Sequence, residues 1–261
     1  MFLCRTLVSR SRMSNGWLEI GRYSVFPWSI AGVETCVVVK SEGLHITFDV
    51  GYACRESVPS KAVFLSHGHM DHISGIPQHA MKKSLYKMKA AKYYIPKDLL
   101  NDLHSVCQIY SKMAGGITEL ENIDLIPALI HQHIHISCNF TVKPFATTHR
   151  VPSQGYILYK REKRLKEEFK GKTSEEISSL VKEGVEISQV TEVPEIAYTG
   201  DTTFDLFLKS PPEDLLKVKL LITEATYIDV DTESIQKARD RGHTHLQELV
   251  DNASLFDSVE K

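Results

Sequence analysis

Four short apolar runs in this chain each end just before a residue that can bind a metal ion or move a proton. The runs are Ala62–Leu65 before His67, Phe140–Ala146 before His149, Val193–Tyr198 before Asp201 and Val218–Ile222 before Glu224. Runs of this length and composition are typical of β-strands. Because loops at one end of packed strands can bring distant side chains into one cleft, the pattern predicts a single functional rim.

Other stretches complete a mixed α and β pattern. Two more apolar runs, Thr35–Val39 and His45–Val50, predict strands, and apolar residues at helical spacing predict a helix over 97–113. Residues 160–192 are polar and charged, with a helical segment near Glu175–Lys182, and we expect them to project from the core as an insertion. The chain has 261 residues, of which 42% are hydrophobic, enough for one large domain over 13–261.

Composition constrains the location and the partners of the chain. The first twelve residues contain arginine and serine but no acid, which is typical of a mitochondrial transit peptide, the alternative being a frayed segment before Met13. Five cysteines without a CxxC pair argue against a disulfide framework and favour a reducing compartment. The net charge of −2 neither indicates nor excludes a nucleic-acid partner. No window approaches the roughly 18 apolar residues of a membrane span, so we expect no membrane partner.

One segment concentrates metal-binding side chains directly after a predicted strand. It reads Ser66-His67-Gly68-His69-Met70-Asp71-His72 and holds three imidazoles and one carboxylate. Zinc and manganese accept these ligands, and a tight loop can turn His67 and His69 to one ion while Asp71 and His72 face a second. The alternative is a solvent-exposed polar loop, but four ligands in this pattern favour a metal site.

The segment resembles the HxHxDH signature of the metallo-β-lactamase superfamily, and the resemblance extends over most of the chain after Met13. It implies an α/β fold, the four-layer αββα sandwich of that superfamily. It also implies that Asp49 is a buried carboxylate supporting the metal loop and that a bridging Asp201 holds two ions about 3.5–4 Å apart. The implied ligands are His67, His69, His149 and Asp201 for the first ion, and Asp71, His72 and Asp201 for the second. Zinc is the expected metal, with manganese as the alternative.

The same resemblance implies that the second ligand set is incomplete. Family members carry a further histidine in a strand-end segment reading approximately Leu-Thr-His, whereas this sequence stops at Lys261. We therefore expect a fragment or splice variant that lacks the last strand and helix of the fold. His245 is the candidate substitute in the C-terminal region, but a helix is predicted to begin just after it. A weakly bound second ion is the expected result.

Local sequence narrows the substrate. Thr223-Glu224-Ala225-Thr226 resembles the His-Glu-Ala-Thr segment of tRNase Z, and Gly242-His243-Thr244-His245 resembles its His-Ser-Thr loop, with the closest likeness to the short eukaryotic form. The resemblance implies an endoribonuclease that removes the 3′ trailer of precursor tRNA. His243 is assigned to deliver a proton to the departing oxygen, and Asp71 to share the proton of the attacking water. Glu224 either orients His243 or is a structural carboxylate.

Two lysine-rich segments offer positive charge for RNA. Five lysines lie between Lys82 and Lys92 with Tyr86, Tyr93 and Tyr94 near them, and a second basic run follows Tyr159. The residues assigned to RNA binding are Lys87, Lys89, Lys163, Arg164 and Lys166, the alternative being solvated charged faces.

Other interpretations stay open. The same metals would serve a thioester or lactone hydrolase, and a catalytically impaired isoform would bind tRNA or a partner. The resemblance also implies a homodimer. The cytoplasm or nucleus is the expected location, with the mitochondrion as the alternative that the N-terminus suggests.

Overall fold

The computed structural model describes residues 12–209, 211–229 and 232–260. Residues 1–11, which form nearly all of the segment assigned above to a transit peptide, lie outside the described residues. Within the described ranges, none of the helices is long and apolar enough to cross a membrane.

The first sheet has eight strands that follow one another in chain order. Neighbouring strands run antiparallel from β1 to β5 and parallel from β5 to β8. The strands are β1 Arg12–Ser14, β2 Trp17–Ile20, β3 Tyr23–Ile30, β4 Glu34–Ser41, β5 Leu44–Phe48, β6 Ala62–Phe64, β7 Lys92–Pro96 and β8 Asp124–Ala128.

The second sheet has five strands in the order β13-β12-β11-β10-β9. They are β9 Ile134–His135, β10 Phe140–Ala146, β11 Gln154–Leu165, β12 Ser188–Tyr198 and β13 Leu220–Ile222. Only the β12 and β13 pair is parallel among these described strands.

Eight α-helices lie in the described residues, several of them a single turn. They are α1 Met70–Ile73, α2 Ile76–Leu85, α3 Leu100–Met113, α4 Thr118–Glu121, α5 Ser174–Lys182, α6 Asp205–Leu208, α7 Thr232–Asp240 and α8 Leu246–Asp251. The helix predicted over 97–113 is confirmed as a short 3-10 turn at Lys97–Leu99 that continues into α3.

The alternation of side chains along the strands builds three apolar layers. Between the sheets, Phe48 of the first sheet lies with its ring centroid 4.9 Å from that of Tyr198 and 6.2 Å from that of Tyr156. The outer face of the first sheet packs on α2 and α3, and the outer face of the second packs on α6 and α8. The predicted four-layer αββα sandwich is therefore confirmed.

The polar stretch 160–192 extends two strands of the second sheet. Strands β11 and β12 stay paired out to Leu165 and Ser188, beyond the core, and α5 closes the far end. Helix α5 begins with a capping box in which the Thr173 side chain and the Glu176 side chain each bond to the other's main-chain amide. We call the segment 160–192 the arm.

Candidate metal centre

Strand ends bring the predicted ligands to one place. His67 follows β6, His149 follows β10 and Asp201 follows β12, while Asp71 and His72 lie in the single turn of α1. The chain must turn sharply after β12, and Gly200 does so with a positive φ of 60° against the side chain of Ser66. All six predicted ligands, including His69 at the N-cap of α1, therefore meet at the rim that the sequence indicates.

The first set of donor atoms converges tightly. The Nε2 atom of His67 lies 2.9 Å from Nδ1 of His69, which lies 3.2 Å from Nε2 of His149. With Asp201, one donor atom from each of these residues lies within 4.8 Å of every other. Zinc–nitrogen bonds of about 2.0–2.1 Å place tetrahedral ligand atoms about 3.3 Å apart, so the donor set fits a tetrahedral ion.

The remaining ring nitrogens fix the orientation of three imidazoles. His149 donates from Nδ1 to the carbonyl of Gly242 at 2.6 Å, and His72 donates from Nδ1 to Asp49 Oδ2 at 2.7 Å. His67 donates from Nδ1 to Ser66 Oγ at 2.9 Å. A neutral imidazole that donates from Nδ1 carries its lone pair on Nε2, so the bonds of His67 and His149 turn that lone pair toward the other predicted ligands.

Asp49 supports the metal loop from below. It is fully buried and accepts hydrogen bonds from the main-chain amide and hydroxyl of Ser66, both at 2.7 Å, from His72 and from the hydroxyl of Tyr198. Burial acts to raise the pKa of Asp49, but the charge and hydrogen bond of His72 outweigh burial and lower that pKa. Asp49 itself has a positive φ of 54°, which aims its carboxylate at the loop.

Asp201 lies between the two predicted ligand sets. Its Oδ2 atom is 3.7 Å from Nε2 of His67 and 3.4 Å from Nε2 of His72. Nε2 of His72 is in turn 3.5 Å from Oδ2 of Asp71. One carboxylate oxygen thus faces both sets, as a bridging ligand does.

His245 does not join the second set. Its Nε2 is 2.6 Å from the hydroxyl of Ser234, and its Nδ1 accepts a hydrogen bond from the amide of Gln247 at 3.0 Å. The residue is the N-cap of α8, as the predicted helix start requires. The alternative in which His245 replaces the missing ligand is therefore contradicted, because both of its ring nitrogens are used within its own part of the chain.

Burial and charge divide the histidines into two kinds. Desolvation lowers the pKa of His67 to about 3, and it also lowers the pKa values of His69 and His149. Burial acts to lower the pKa of His72 as well, but the carboxylates of Asp49 and Asp201 outweigh it and raise that pKa to about 11. The first set is thus made of neutral imidazoles, the form that binds metal.

His243 lies beside the predicted metal ligands and is hydrogen-bonded to Glu224. Its Nδ1 atom is 3.1 Å from Oε1 of Glu224 and 3.7 Å from Oδ2 of Asp201. Burial acts to lower the pKa of His243, whereas the hydrogen bond and charge of Glu224 raise it, with a raised pKa as the result. Glu224 also accepts from the Thr202 amide at 2.8 Å and from the Thr226 hydroxyl at 2.5 Å, so it has a structural role beside its contact with His243.

Asp201, Glu224 and His243 also form a convergent set. The sequence predicts Asp201 and Glu224 at one rim, with Glu224 beside His243 as one alternative, but it does not predict that His243 also lies close to Asp201. One donor atom from each lies within 4.8 Å of the others, as in the first set. The positions of Asp201 and Glu224 after two neighbouring strands can be predicted from the sequence. The position of the His243 loop beside them cannot, because that loop is distant along the chain.

The predicted RNA-binding residues fall on two separate surfaces. Lys163 and Arg164 are exposed and Lys166 is half-buried on the arm, where Arg164 pairs with Glu162 at 3.0 Å. Lys87 and Lys89 are exposed in the loop after α2.

The sequence suggested that the lysines and tyrosines around α2 form one RNA surface. In the structure they do not. Lys83 is buried and donates to the carbonyls of Val58 and Ser60, both at 2.8 Å, while Lys82 donates to the carbonyl of Ala53. Tyr93 and Tyr94 are buried in the sheet. The reason is that α2 packs against the first sheet and uses its lysines to satisfy main-chain oxygens there.

Comparison with known proteins agrees with this geometry. Residues 52–258 match the sequence family described as the Beta-lactamase superfamily domain. The chain is 35% identical over 250 residues to tRNase Z TRZ2, chloroplastic, of Arabidopsis thaliana, covering 96% of this chain and 69% of that protein. It is 36% identical over 241 residues to tRNase Z TRZ1 of the same plant, covering 92% of this chain and 84% of that protein.

Solved structures share the fold. The short form of human tRNase Z (ELAC1) superposes with a TM-score of 0.57 at 18% identity, covering 89% of this chain and 88% of that one. The metallo-beta-lactamase fold protein YhfI of Bacillus subtilis gives a TM-score of 0.53 at 16% identity, covering 85% and 73%. At these identities the superpositions show the shared fold alone, whereas the sequence matches to the plant proteins show the family. The chain is a member of the tRNase Z family within the β-lactamase superfamily.

Proposed function

We propose that the chain is a metal-dependent endoribonuclease that hydrolyses the phosphodiester bond joining the 3′ trailer to precursor tRNA. The observation that carries the proposal is the position of Asp201, whose Oδ2 faces His67, His72 and His243 at 3.4 to 3.7 Å. A carboxylate shared by two ligand sets, with a proton donor beside it, suits in-line attack on phosphorus. The names of the plant relatives support tRNA as the substrate.

Zinc is the proposed metal, because neutral imidazoles and one carboxylate in near-tetrahedral reach are its usual ligands, and manganese is the alternative. When bound, the ions polarise the phosphoryl group and make water nucleophilic near neutral pH. His67, His69, His149 and Asp201 would hold the first ion. Asp71, His72 and Asp201 would hold the second ion with fewer protein ligands.

The side chains of this chain then handle the protons. Glu224 accepts from Nδ1 of His243, so the other ring nitrogen is the one assigned to protonate the departing ribose oxygen. Asp71, next to His72 in α1, is assigned to take the proton of the attacking water. Glu224 is a positioning residue, because its contact is with His243 and not with the substrate.

Three further assignments extend this proposal. The arm residues Lys163, Arg164 and Lys166, together with Lys87 and Lys89, would bind the phosphates of the tRNA. A homodimer is proposed from family membership. The cytoplasm or nucleus is proposed as the location, with the mitochondrion as the alternative.

The role of His243 is tested by changing it to Gln. General acid catalysis contributes about 10²–10⁴-fold, so we expect kcat for precursor tRNA cleavage to fall by that factor while KM changes little. His104→Gln, a histidine on α3, is the matched control and should keep full activity. An unchanged kcat for His243→Gln would remove this residue from the reaction.

The reaction class is tested by offering the metal-loaded chain three substrates: precursor tRNA, a small aryl phosphodiester, and a thioester. We expect cleavage of the two phosphodiesters and none of the thioester. Preferred hydrolysis of the thioester would favour the alternative hydrolase on the same metals.

A further inference from the structure

Four aromatic side chains form a row along the outer face of the first sheet. They are Trp17, Phe26, Trp28 and Tyr52, and their successive ring centroids lie 5.6, 6.3 and 6.3 Å apart. The first three are partly exposed, and Tyr52 is 41% exposed. Solvent-facing rings in one unbroken series are the feature that requires explanation, because large aromatic side chains usually supply burial in cores and interfaces. We call these four residues the aromatic row.

Strand geometry sets the row in place. Phe26 and Trp28 are two residues apart on β3, so they stand on the same face of the sheet, with ring planes 8° from parallel. The indole of Trp28 is fixed by a hydrogen bond from Nε1 to Glu34 Oε1 at 2.9 Å. Trp17 and Phe26 pack at their bases on a small buried cluster around Cys36 and leave their other surfaces in contact with solvent.

One end of the row adjoins the metal loop. Tyr52 directly follows Gly51, whose backbone approaches Asp71 so closely that a Cβ atom there would lie 1.7 Å from the carbonyl oxygen of Asp71. The amide of Val50 also donates to the carbonyl of His72 at 2.8 Å. The row therefore begins beside the predicted ligands of the second ion and leads away from them along β3 toward β2.

Charged groups accompany the row at both ends. Lys40 Nζ lies 3.8 Å from the ring centroid of Trp17, and Lys82 Nζ lies 5.7 Å from that of Tyr52. The middle of the row borders a groove of about 430 Å³ that is also lined by Arg55 and by the carboxylates of Glu34 and Glu56. Lys40 and Arg55 can contact phosphates, whereas Lys82 already donates to the carbonyl of Ala53. The carboxylates can accept hydrogen bonds from the amino groups of bases.

We propose that the aromatic row is a stacking track for single-stranded RNA, which holds the 3′ trailer of the substrate after it passes the metal centre. Binding of single strands combines cations along the backbone with aromatic rings on which successive bases stack, and this row has both features. Its end at Tyr52 beside the metal loop puts the row next to the proposed cleavage site, where single-stranded RNA would pass. The inference rests on the proposed function, since the trailer is the single-stranded part of that substrate.

The chain carries a built-in reporter for this test. It has two tryptophans, Trp17 and Trp28, and both lie in the row. Stacked bases quench indole fluorescence, so adding a single-stranded RNA of about eight nucleotides should quench the tryptophan emission of the full chain in a saturable way. A duplex RNA of the same length should leave the emission unchanged, because its bases are already stacked on each other. Absence of quenching by the single strand would overturn the proposal.

Substitutions separate stacking from general charge attraction. Trp28→Leu and Phe26→Leu keep apolar bulk but remove the ring, and each should weaken single-strand binding by about 5- to 150-fold in Kd. Tyr110→Ala, which removes an exposed ring on α3, is the matched control and should bind like the original chain. The metal content and the melting temperature of each variant show whether it is folded. Folded variants with unchanged Kd would contradict the track.

A second measurement separates failure of the track from failure of the proposed function. Binding of precursor tRNA with a trailer of about eight nucleotides is compared with binding of the same tRNA body without a trailer. We expect the trailer to tighten binding, and Trp28→Leu to remove that gain while the trailer-free Kd stays the same. Cleavage of precursor tRNA without any trailer effect would leave the proposed function intact and reject the track. Quenching by a proline-rich peptide but not by RNA would assign the row to a protein partner and also reject it.

Discussion

At the scale of single residues, Asp49 connects the fold to the metal centre. Its carboxylate accepts from Ser66, His72 and Tyr198, so it joins the strand before the ligand loop, a ligand and the facing sheet. Partners of this kind orient ligands and are worth about 10–100-fold in metal affinity. The position and charge of the Asp49 carboxylate therefore fix the orientation of the His72 ring toward the proposed second ion.

Replacing Asp49 with Asn should weaken zinc binding by about 10–100-fold, because the amide keeps the shape but loses the charge that holds His72 Nδ1. Competition with a chromophoric chelator measures the affinity. Asp98→Asn, in the exposed turn before α3, is the control. Equal affinities for the two variants would mean that Asp49 supports the fold alone.

The ligands of the first ion make a stricter prediction. His67→Ala combined with His69→Ala removes two of the four donors, so elemental analysis should find that the bound zinc of this site is lost. The unchanged chain should hold at least one ion, with the second site emptied first by a chelator because it has fewer ligands. Full zinc content in the double variant would place the metal elsewhere.

A second buried carboxylate far from the metals links stability to pH. Glu195 on β12 is fully buried, accepts from Tyr23 and Lys219, both at 2.9 Å, and pairs with Arg22. Burial acts to raise its pKa, but these partners outweigh burial and lower it. The pKa is thus lower in the folded than in the unfolded chain, so the ionised carboxylate stabilises the fold above its ordinary pKa of about 4.3, and this is lost as pH falls through the folded pKa.

Glu195→Gln should therefore lower Tm near neutral pH, by about 2–4 °C for each ~1 kcal/mol lost. The difference in Tm from the original chain should shrink as pH falls below about 4. Differential scanning calorimetry across that range makes the measurement, with exposed Glu167→Gln as the control. A difference in Tm that stays constant with pH would show that the charge of Glu195 is not the cause.

At the scale of elements, the arm is an outgrowth of the core sheet. Strands β11 and β12 carry their pairing beyond the core, and the exposed Lys163 and Arg164 lie on that extension. Because β11 begins just after the His149 loop and β12 ends just before Asp201, phosphates bound to the arm would be held in a fixed relation to the predicted metal ligands.

Replacing Lys163, Arg164 and Lys166 with Ala should weaken tRNA binding and flatten its salt dependence, because each phosphate that is no longer neutralised lowers the slope by about one. Hydrolysis of a small phosphodiester should hardly change, because the metal ligands are untouched. Binding isotherms at several salt concentrations provide the slope. Equal losses on tRNA and on the small substrate would mean that the segment supports the fold.

Elements were predictable where sequence periodicity is strong. The apolar runs at Phe140–Ala146 and Val218–Ile222 lie in β10 and around β13, and the helix over 97–113 is present. Strand β3 was missed because its alternation includes Pro27 and is polar at Ser24 and Ser29. The basic surface that the sequence predicts along α2 is not formed, because Lys83 turns inward and donates to main-chain carbonyls. Residue types alone cannot show that orientation.

At the scale of the whole molecule, the candidate site lies where the strand ends of the two packed sheets adjoin. His67 and His72 follow the first sheet, and His149 and Asp201 follow the second, so packing of Phe48 on Tyr198 between the sheets sets the distance between the ligand sets. The strand-end positions and the HxHxDH spacing predicted that these side chains lie close together, and the structure brings them to one rim. The sequence did not reveal that His243 lies close to Asp201, because that contact depends on the folded path of the loop that carries His243.

Metal-dependent cleavage of precursor tRNA at its 3′ trailer is the activity that the two sheets and their shared rim are proposed to serve. Product mapping tests it, with a precursor tRNA incubated with the zinc-loaded chain and, in parallel, with the His67→Ala and His69→Ala double variant. We expect one cut that releases the trailer and leaves a 3′-hydroxyl on the tRNA body, and no cut with the variant, because water activation depends on the first ion. A chain that leaves the precursor intact, or a variant that cuts it equally well, would show that this metal centre is not the nuclease proposed.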